Sequence, residues 1–388
     1  MERQQATNYV NSLIDKLLEL DGSDLFITAG AAPSVKVSGL LKPLTQQQLT
    51  AQQSEMLCRS IMNDRQIADF DAHHELNFAF AVPGKGRFRV NAFTQRGSVG
   101  MVLRLIKSEI PNFEELDLPD VLREVSMTKR GLVIFVGATS SGKSTSLAAM
   151  VGYRNRNSQG HIITIEDPIE FIHRHDQCLV TQREVGTDTD SFDTALKNTL
   201  RQAPDVILIG EIRDRDTMEY GVTFAETGHL CLSTLHANNT NQALDRIINF
   251  FPEERRPQLL MDLSLNLKAV ISQRLIRRED GKGRVPATEV LLNTPLMADL
   301  IFKGDVPGMK ELVKKSNELG MHTFDQDLFR LFEEGKISYE EALRNADSVN
   351  DLRLQIKLNS ERARDNDLME QTEGLEMEEK EEDTSMFR

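Results

Sequence analysis

The sequence predicts an α/β protein in which a parallel sheet with helices on both faces follows a smaller α+β domain. Three observations predict it. From Gly131 onward short apolar strands (131–136, 161–165, 206–210 and 230–235) alternate with helical stretches beginning after 143, 191, 214 and 240, the rhythm of a parallel sheet. The first of those strands runs directly into a glycine-rich turn and then a helix. Before about residue 108, apolar positions recur first at helical spacing and then at the two-residue period of strands.

In order along the chain, Tyr9, Val10, Leu13, Ile14, Leu17 and Leu18 mark an amphipathic helix over 8–20. A strand, Asp24-Leu25-Phe26-Ile27-Thr28, follows, and Gly30, Pro33 and Gly39 punctuate a hairpin. A second helix is expected near 46–69. The segments 76–80 and 87–91 flank a turn at Pro83-Gly84-Lys85-Gly86, and Val99–Ile106 completes the small domain, 1–108. Pro111 and Pro119 bracket a linker, 109–120. The α/β core then spans 121–350 and ends in helices from about 295 to 346. Residues 351–388 read as an acidic, disordered tail.

With 39% hydrophobic residues the chain can bury a normal core. No apolar run approaches the roughly 18 residues of a membrane span, and the polar start Met1-Glu2-Arg3-Gln4 lacks a signal peptide's apolar region. A cytoplasmic protein is expected. Cys58, Cys178 and Cys231 stand far apart, without the paired spacing of a zinc site, so zinc is not expected. The net charge is −14, and the stretch from Ser360 to Arg388 holds 11 acidic and four basic side chains, half of that excess. Such a tail repels phosphate backbones, so nucleic acid is not expected as a partner.

Gly137-Ala138-Thr139-Ser140-Ser141-Gly142-Lys143-Ser144 matches the P-loop pattern in full. The strand Leu132–Val136 enters it and a helix beginning Thr145-Ser146 leaves it. Glycines let backbone N–H groups turn inward around phosphates, and the helix N-terminus adds positive potential. Lys143 is expected on the β- and γ-phosphates of ATP, and Ser144 on Mg²⁺. A second box, Ile165-Glu166-Asp167-Pro168-Ile169-Glu170, lies at the carboxyl end of a strand of the same sheet, where open α/β sheets bind ligands. A third, Val206–Glu211, resembles a Walker B strand with Gly210 where many P-loop enzymes carry Asp. The metal carboxylate must then come from Glu166 or Asp167, which leaves Glu211 to orient or deprotonate water. Glu170 reads as a structural surface pair. In a fourth box, Thr227 to His236, the histidines His229 and His236 bracket a buried strand and read as γ-phosphate or subunit-interface sensors. The arginines Arg87, Arg89, Arg96 and Arg104 cluster in the first domain. A nucleotide gripped on one side by a P-loop needs a cation on the other.

These boxes, in this order, resemble the secretion and pilus-motor ATPase superfamily. The resemblance covers nearly the whole chain to about residue 350. It is carried by Ser23-Asp24-Leu25, Gly86–Phe93, Glu166–Glu170, Gly210-Glu211-Ile212-Arg213-Asp214 and Thr227–His236. It implies a PAS-like N-terminal domain joined to a RecA-like ATPase core and six chains in a ring. It also implies contact between nucleotide and arginines of the small domain, with Arg89, Arg96 and Arg104 as candidates. The missing tetracysteine insertion and the segment Gly320–Gln326 are similar to the retraction branch, the PilT/PilU family of type IV pilus ATPases. Two departures point to the PilU side. Ser140 replaces a usual glycine, and Leu296–Lys303 lacks the Arg and Asn of the retraction motif. As a helix that segment would bury Leu296, Leu300 and Ile301 and turn Asp299 and Lys303 outward. The resemblance thus implies a cytoplasmic hexameric MgATPase at the inner membrane. It would act on an inner-membrane platform protein beside a companion retraction ATPase. An extension or type II secretion motor is disfavoured by the cysteines, a non-catalytic adaptor by the intact Lys143, Ser144 and Glu211, and a nucleic-acid translocase by the acidic balance.

Overall fold

The computed structural model describes residues 3–37, 39–106 and 109–363. The first domain packs the helices Arg3–Glu19, Ala51–Ser60 and Asp64–His73 on a six-stranded sheet. Its strands are β1 (Asp24–Ile27), β2 (Ser34–Val37), β3 (Leu40–Pro43), β4 (Glu75–Val82), β5 (Gly86–Gln95) and β6 (Ser98–Ile106). They lie in the order β3-β2-β1-β6-β5-β4, and each pairing is antiparallel. Alternation supplies the core: Phe88, Val90 and Ala92 of β5 are fully buried against Leu13, Ile14 and Leu17 of the first helix. The single helix expected over 46–69 is two. Asn63 stops the first and caps the second: its side chain accepts from Gln66 N, and the Gln66 side chain returns a bond to Asn63 N. Such a reciprocal cap is a helix start signal, and it overrides apolar spacing that runs through it.

Seven further strands follow: β7 (Gly131–Val136), β8 (Gly160–Glu166), β9 (Cys178–Glu184), β10 (Val206–Ile209), β11 (Leu230–Leu235), β12 (Leu267–Arg277) and β13 (Arg284–Leu292). They form one sheet in the order β13-β12-β7-β11-β10-β8-β9. The four expected strands are present, and β8, β9, β10 and β11 pair in parallel. β9, β12 and β13 were not expected. β12 and β13 form an antiparallel hairpin, so the sheet is mixed. Their polar residues hid them: Gln273, Thr288 and Glu289 are buried and break the apolar signature of an inner strand.

By packing, the described residues fall into two compact units. One gathers the chain up to Glu115 with Asp120–Val133 and Ser144–Leu235. The other gathers Leu116–Pro119, Ile134–Lys143 and the chain from His236 on. The second unit adds the helices Pro295–Lys303, Val306–Lys315, Phe324–Glu333, Tyr339–Asn345 and Val349–Asn359. The last of these corrects the expected boundary of the tail. Leu352 and Ile356 are buried, and Arg362 donates to the carbonyls of Phe332 and Ile337 and pairs with Glu279. The rest of the expected tail, 364–388, lies outside the described residues. Helix Pro295–Lys303 also differs in detail. It buries Met297 and Ile301, leaving Leu296 57% and Phe302 55% exposed. Asp299 and Lys303 pair outward at 2.6 Å, as the spacing predicts.

Candidate functional site

The chain turns out of β7 into the P-loop through Gly137 at φ +152° and Gly142 at φ +86°. A Cβ on Gly137 would stand 2.5 Å from the Gln273 carbonyl oxygen, and one on Gly142 would stand 2.8 Å from Gln273 Nε2. Glycine is therefore demanded twice, by conformation and by the closeness of β12. Gln273 Nε2 donates to the Ser141 carbonyl at 2.8 Å from a fully buried position. Lys143 Nζ reaches back along the loop and donates to the carbonyls of Gly137 (2.8 Å) and Ala138 (2.9 Å). Ser141 Oγ is buried without a hydrogen-bond partner. An unsatisfied buried hydroxyl in a loop of inward-facing amides suits an incoming phosphate oxygen. Ser144 and Thr145 follow in the first turn of helix Lys143–Asn157.

Two cavities open on this loop. One, of about 670 Å³, is lined by Gly137, Ala138, His236, Asn238 and the face of helix Thr240–Asn249 that carries Gln242 and Arg246. The other, of about 280 Å³, lies between Gly137–Ser141 and the Gln273-Arg274-Leu275 stretch of β12. His236 thus stands beside the P-loop. His229 does not: it sits at the other end of β11, its carbonyl accepting from Gly131 N at the start of β7. Six strand residues separate the two histidines, roughly 20 Å. Its ring is engaged locally, with Nδ1 3.1 Å from the Thr227 hydroxyl and 3.2 Å from the Phe224 carbonyl. His229 lines neither of these two cavities, so of the two roles expected for it the subunit-interface one is the role its position suits.

The acidic boxes meet at the carboxyl ends of β8 and β10. Gly210 N donates to the Ile165 carbonyl at 2.8 Å, and a Cβ on Gly210 would stand 3.1 Å from Glu166 Cα. Glycine at this position draws the two strand ends together. Arg213 then bridges the boxes, its Nε 2.8 Å from Glu211 Oε2 and its Nη1 3.3 Å from Asp167 Oδ2. Glu166 Oε1 accepts from the Thr164 hydroxyl (2.6 Å) and Gln182 Nε2 (3.1 Å). Burial pushes the Glu166 carboxyl above its usual range, against the pull of those bonds. Glu170 adjoins this cluster: its backbone N–H bonds the Glu166 carboxylate, and its own negative charge adds to the upward push on Glu166.

The arginines of the small domain divide. Arg89 and Arg104 are cross-strand partners on β5 and β6, and Arg104 pairs with Asp24 beside it on β1. Arg104 Nε lies 2.7 Å from the carboxylate of Asp24, which is 4% exposed. Such a pairing satisfies a buried charge, a structural duty the sequence reading did not assign. Arg89 Nε is buried without a partner. Arg96 sits exposed in the turn between β5 and β6 at φ +49°. Arg87 reaches out of the sheet to Glu184 of β9 at 3.7 Å.

Sequence reasoning missed Gln182, Arg213, Gln273 and Arg274 as site residues. Arg213 had a local signal, since it stands two residues past Glu211 and so on the same side of an extended segment. Gln273 had none, because 132 positions separate it from Ser141.

The model of the family described as "Type II/IV secretion system protein" matches residues 2–344. The chain belongs to this family. Two of its relatives are named as type IV pilus ATPases. The sequence is 62% identical over 366 residues to the type IV pilus ATPase PilU of Pseudomonas aeruginosa, covering 94% of this chain and 96% of the relative. It is 44% identical to PilT of the same organism, over 84% and 94% of the two chains. A crystal structure of the pilus retraction motor PilT with bound ADP superposes with a TM-score of 0.83 at 40% identity, covering 88% of this chain and 98% of that one. The Legionella pneumophila ATPase DotB superposes at 0.70 and 26% identity, over 87% and 94%. The chain is thus a nucleotide-binding ATPase of the PilT/PilU kind, with the RecA-like fold of the secretion ATPases. Among the described residues no helix is long and apolar enough to cross a membrane.

Proposed function

We propose that this chain is an ATP-hydrolysing subunit of a hexameric motor that drives type IV pilus retraction beside a companion, PilT-like ATPase. The observation that carries the reading is the P-loop cradle. Its glycines are pressed on by β12, an unsatisfied Ser141 hydroxyl lies within it, and it opens on a cavity of about 670 Å³. ATP is the substrate, its phosphates held by the amides of 137–144 and by Lys143. His236 faces the same cavity. Glu211 orients or deprotonates water, and an arginine of the small domain, Arg89 or Arg96, supplies charge from the far side of the nucleotide. Arg104 is the weaker candidate, being committed to Asp24.

The residues fit Mg²⁺. The donors are all hard oxygens: the Ser144 hydroxyl and the carboxylates of Glu166 and Asp167. No group of three or more His, Cys, Asp or Glu side chains among the described residues could hold a metal alone. Mg²⁺ suits that poverty, since it takes one or two carboxylates plus phosphate oxygens and keeps its waters. When bound it would supply neutralisation of phosphate charge. The division into 1–108, a linker at 109–120 and a core from 121 is part of the same reading. So are action at the cytoplasmic face of the inner membrane, a platform protein as the recipient of force, and no role for nucleic acid.

Lys143→Ala tests the assignment. Lys143 Nζ bonds to two carbonyls of the loop itself, and its side chain belongs to neither of the apolar core clusters. Phosphate release should fall at least about 100-fold with unfolding temperature nearly unchanged. Turnover within a few-fold of wild type would sink it.

A further inference from the structure

Strand β12 runs past the P-loop, and its consecutive residues Gln273 and Arg274 point to opposite sides. Gln273 grips the loop, as described above. Arg274 faces the C-terminal helices and makes four contacts, three of them there and one to Asn238. Its Nη1 donates to the Asn345 carbonyl at 2.8 Å, and its Nη2 lies 2.7 Å from Asp347 Oδ1. Nη2 also donates to the Asn238 carbonyl at 3.2 Å. The guanidinium carbon lies 3.9 Å from the centre of the Phe324 ring. The far side is itself braced, because the Asp325 carboxylate accepts from Asp347 N (2.8 Å) and Ser348 N (3.1 Å).

Asn238 is the hinge of this arrangement. It follows His236 by two residues and lines both cavities at the P-loop. Its carbonyl accepts from Arg274 and also from the Ser272 hydroxyl at 3.3 Å. The loop carrying His236 is thus tied to β12 through the Asn238 carbonyl, and beside the P-loop the planar Arg274 cation ties β12 to the C-terminal helices, in addition to the apolar packing of Ile276. A lysine could not replace it. Stacking on Phe324 and donating in three directions at once need a planar fork.

We propose that Arg274 is a positioning residue for ATP hydrolysis, holding the His236–Asn238 loop at the P-loop through Asp347 and Phe324. Phe324 and Asp325 belong to the segment Gly320–Gln326, whose likeness to the retraction branch had no structural role until this contact. The C-terminal helices are then part of the hydrolytic apparatus. A change in the loop on hydrolysis is felt first by these helices. The inference rests on the P-loop being the nucleotide site.

Asp347 lines neither cavity and touches no P-loop residue, so it carries the cleanest test. Asp347→Asn, Asp347→Glu, Arg274→Lys and Arg274→Gln are assembled as full-length rings. Each is measured for unfolding temperature, affinity for a fluorescent ADP analogue, and kcat and KM for ATP. Expected is a fall in kcat of about tenfold in Asp347→Asn and in both Arg274 variants, with KM and ADP affinity within about threefold of wild type. Asp347→Glu should recover most of the loss. A folded Asp347→Asn protein with kcat within twofold of wild type overturns the proposal, even if the Arg274 variants fail to fold. Parallel loss of ADP affinity and kcat would also overturn it, since a merely structural prop moves both. Lys143→Ala separates the two readings: retained nucleotide binding and turnover there would remove the P-loop assignment and the Arg274 proposal with it, whereas lost turnover in Lys143→Ala beside an unchanged kcat in Asp347→Asn would remove the Arg274 proposal alone.

Discussion

Ser140 holds a conformation that glycine adopts more readily. Its φ is +64°, in the left-handed region, where a Cβ costs about 1 kcal/mol. The glycine that the family resemblance leads one to expect here would meet that geometry without strain, and the serine is tolerated at a cost. Ser140→Gly should raise the stability of the nucleotide-free protein by about 0.5 kcal/mol, part of the relief being offset by the freer unfolded chain. Thermal unfolding of the two proteins would show it, with ATP turnover retained. A loss of 1 kcal/mol or more would mean that the serine side chain makes an interaction worth more than the strain. Gly210 shows the opposite logic. Its place in a Walker B strand reads as a missing carboxylate. In the structure a Cβ there would stand 3.1 Å from Glu166 Cα, so a side chain would require the Glu166 backbone to give by a few tenths of an ångström.

Elements were legible where their period was clean and their faces single. β7, β10 and β11 are wholly buried and read directly as apolar runs. β12 and β13 carry buried polar residues with duties elsewhere, and only the paired sheet reveals them as strands. Helix Val349–Asn359 was hidden because Leu352, Leu354, Ile356 and Leu358 recur at a two-residue spacing that is not helical, and only Leu352 and Ile356 are buried. It nevertheless closes the core formed by Phe324, Leu328 and Leu331. Two truncations separate it from the tail beyond. Removing 364–388 should leave ATP turnover and ring assembly nearly unchanged. Removing 349–388 should cost on the order of 3 kcal/mol or more through the lost burial of Leu352 and Ile356 and of the Arg362 contacts. Chemical denaturation measures both. Equal stability of the two truncated proteins would show that the helix contributes nothing.

At the scale of the molecule, the helix Pro295–Lys303 keeps its packing while its outward face lacks the Arg and Asn that the family resemblance leads one to expect. Met297 and Ile301 hold it to the core, and the exposed face offers Leu296, Phe302 and the Asp299–Lys303 pair. Packing and outward chemistry are separate properties of a helix, so the motor can keep hydrolysis while its output surface changes. In cells whose only retraction ATPase is this chain, little or no pilus retraction is expected, and a companion PilT-like ATPase should restore it. Fluorescence imaging of labelled pili in single and double deletion strains tests this. Vigorous retraction by this chain alone would show that the altered face is no handicap.

What the sequence determined by itself is whatever is local. The P-loop, the acidic boxes and the alternation of strand and helix each lie within a few neighbouring residues, where spacing alone dictates geometry. The tertiary structure decided what depends on residues far apart. It put His236 at the P-loop and His229 a strand's length away, although the two look alike in sequence. It assigned Arg104 to Asp24 while leaving Arg89 Nε unpartnered. It brought Gln273 onto the P-loop across 132 positions and set Arg274 against Phe324 and Asp347. The physical reason is that a strand's neighbours in a sheet follow from the order of crossovers, which no local period records.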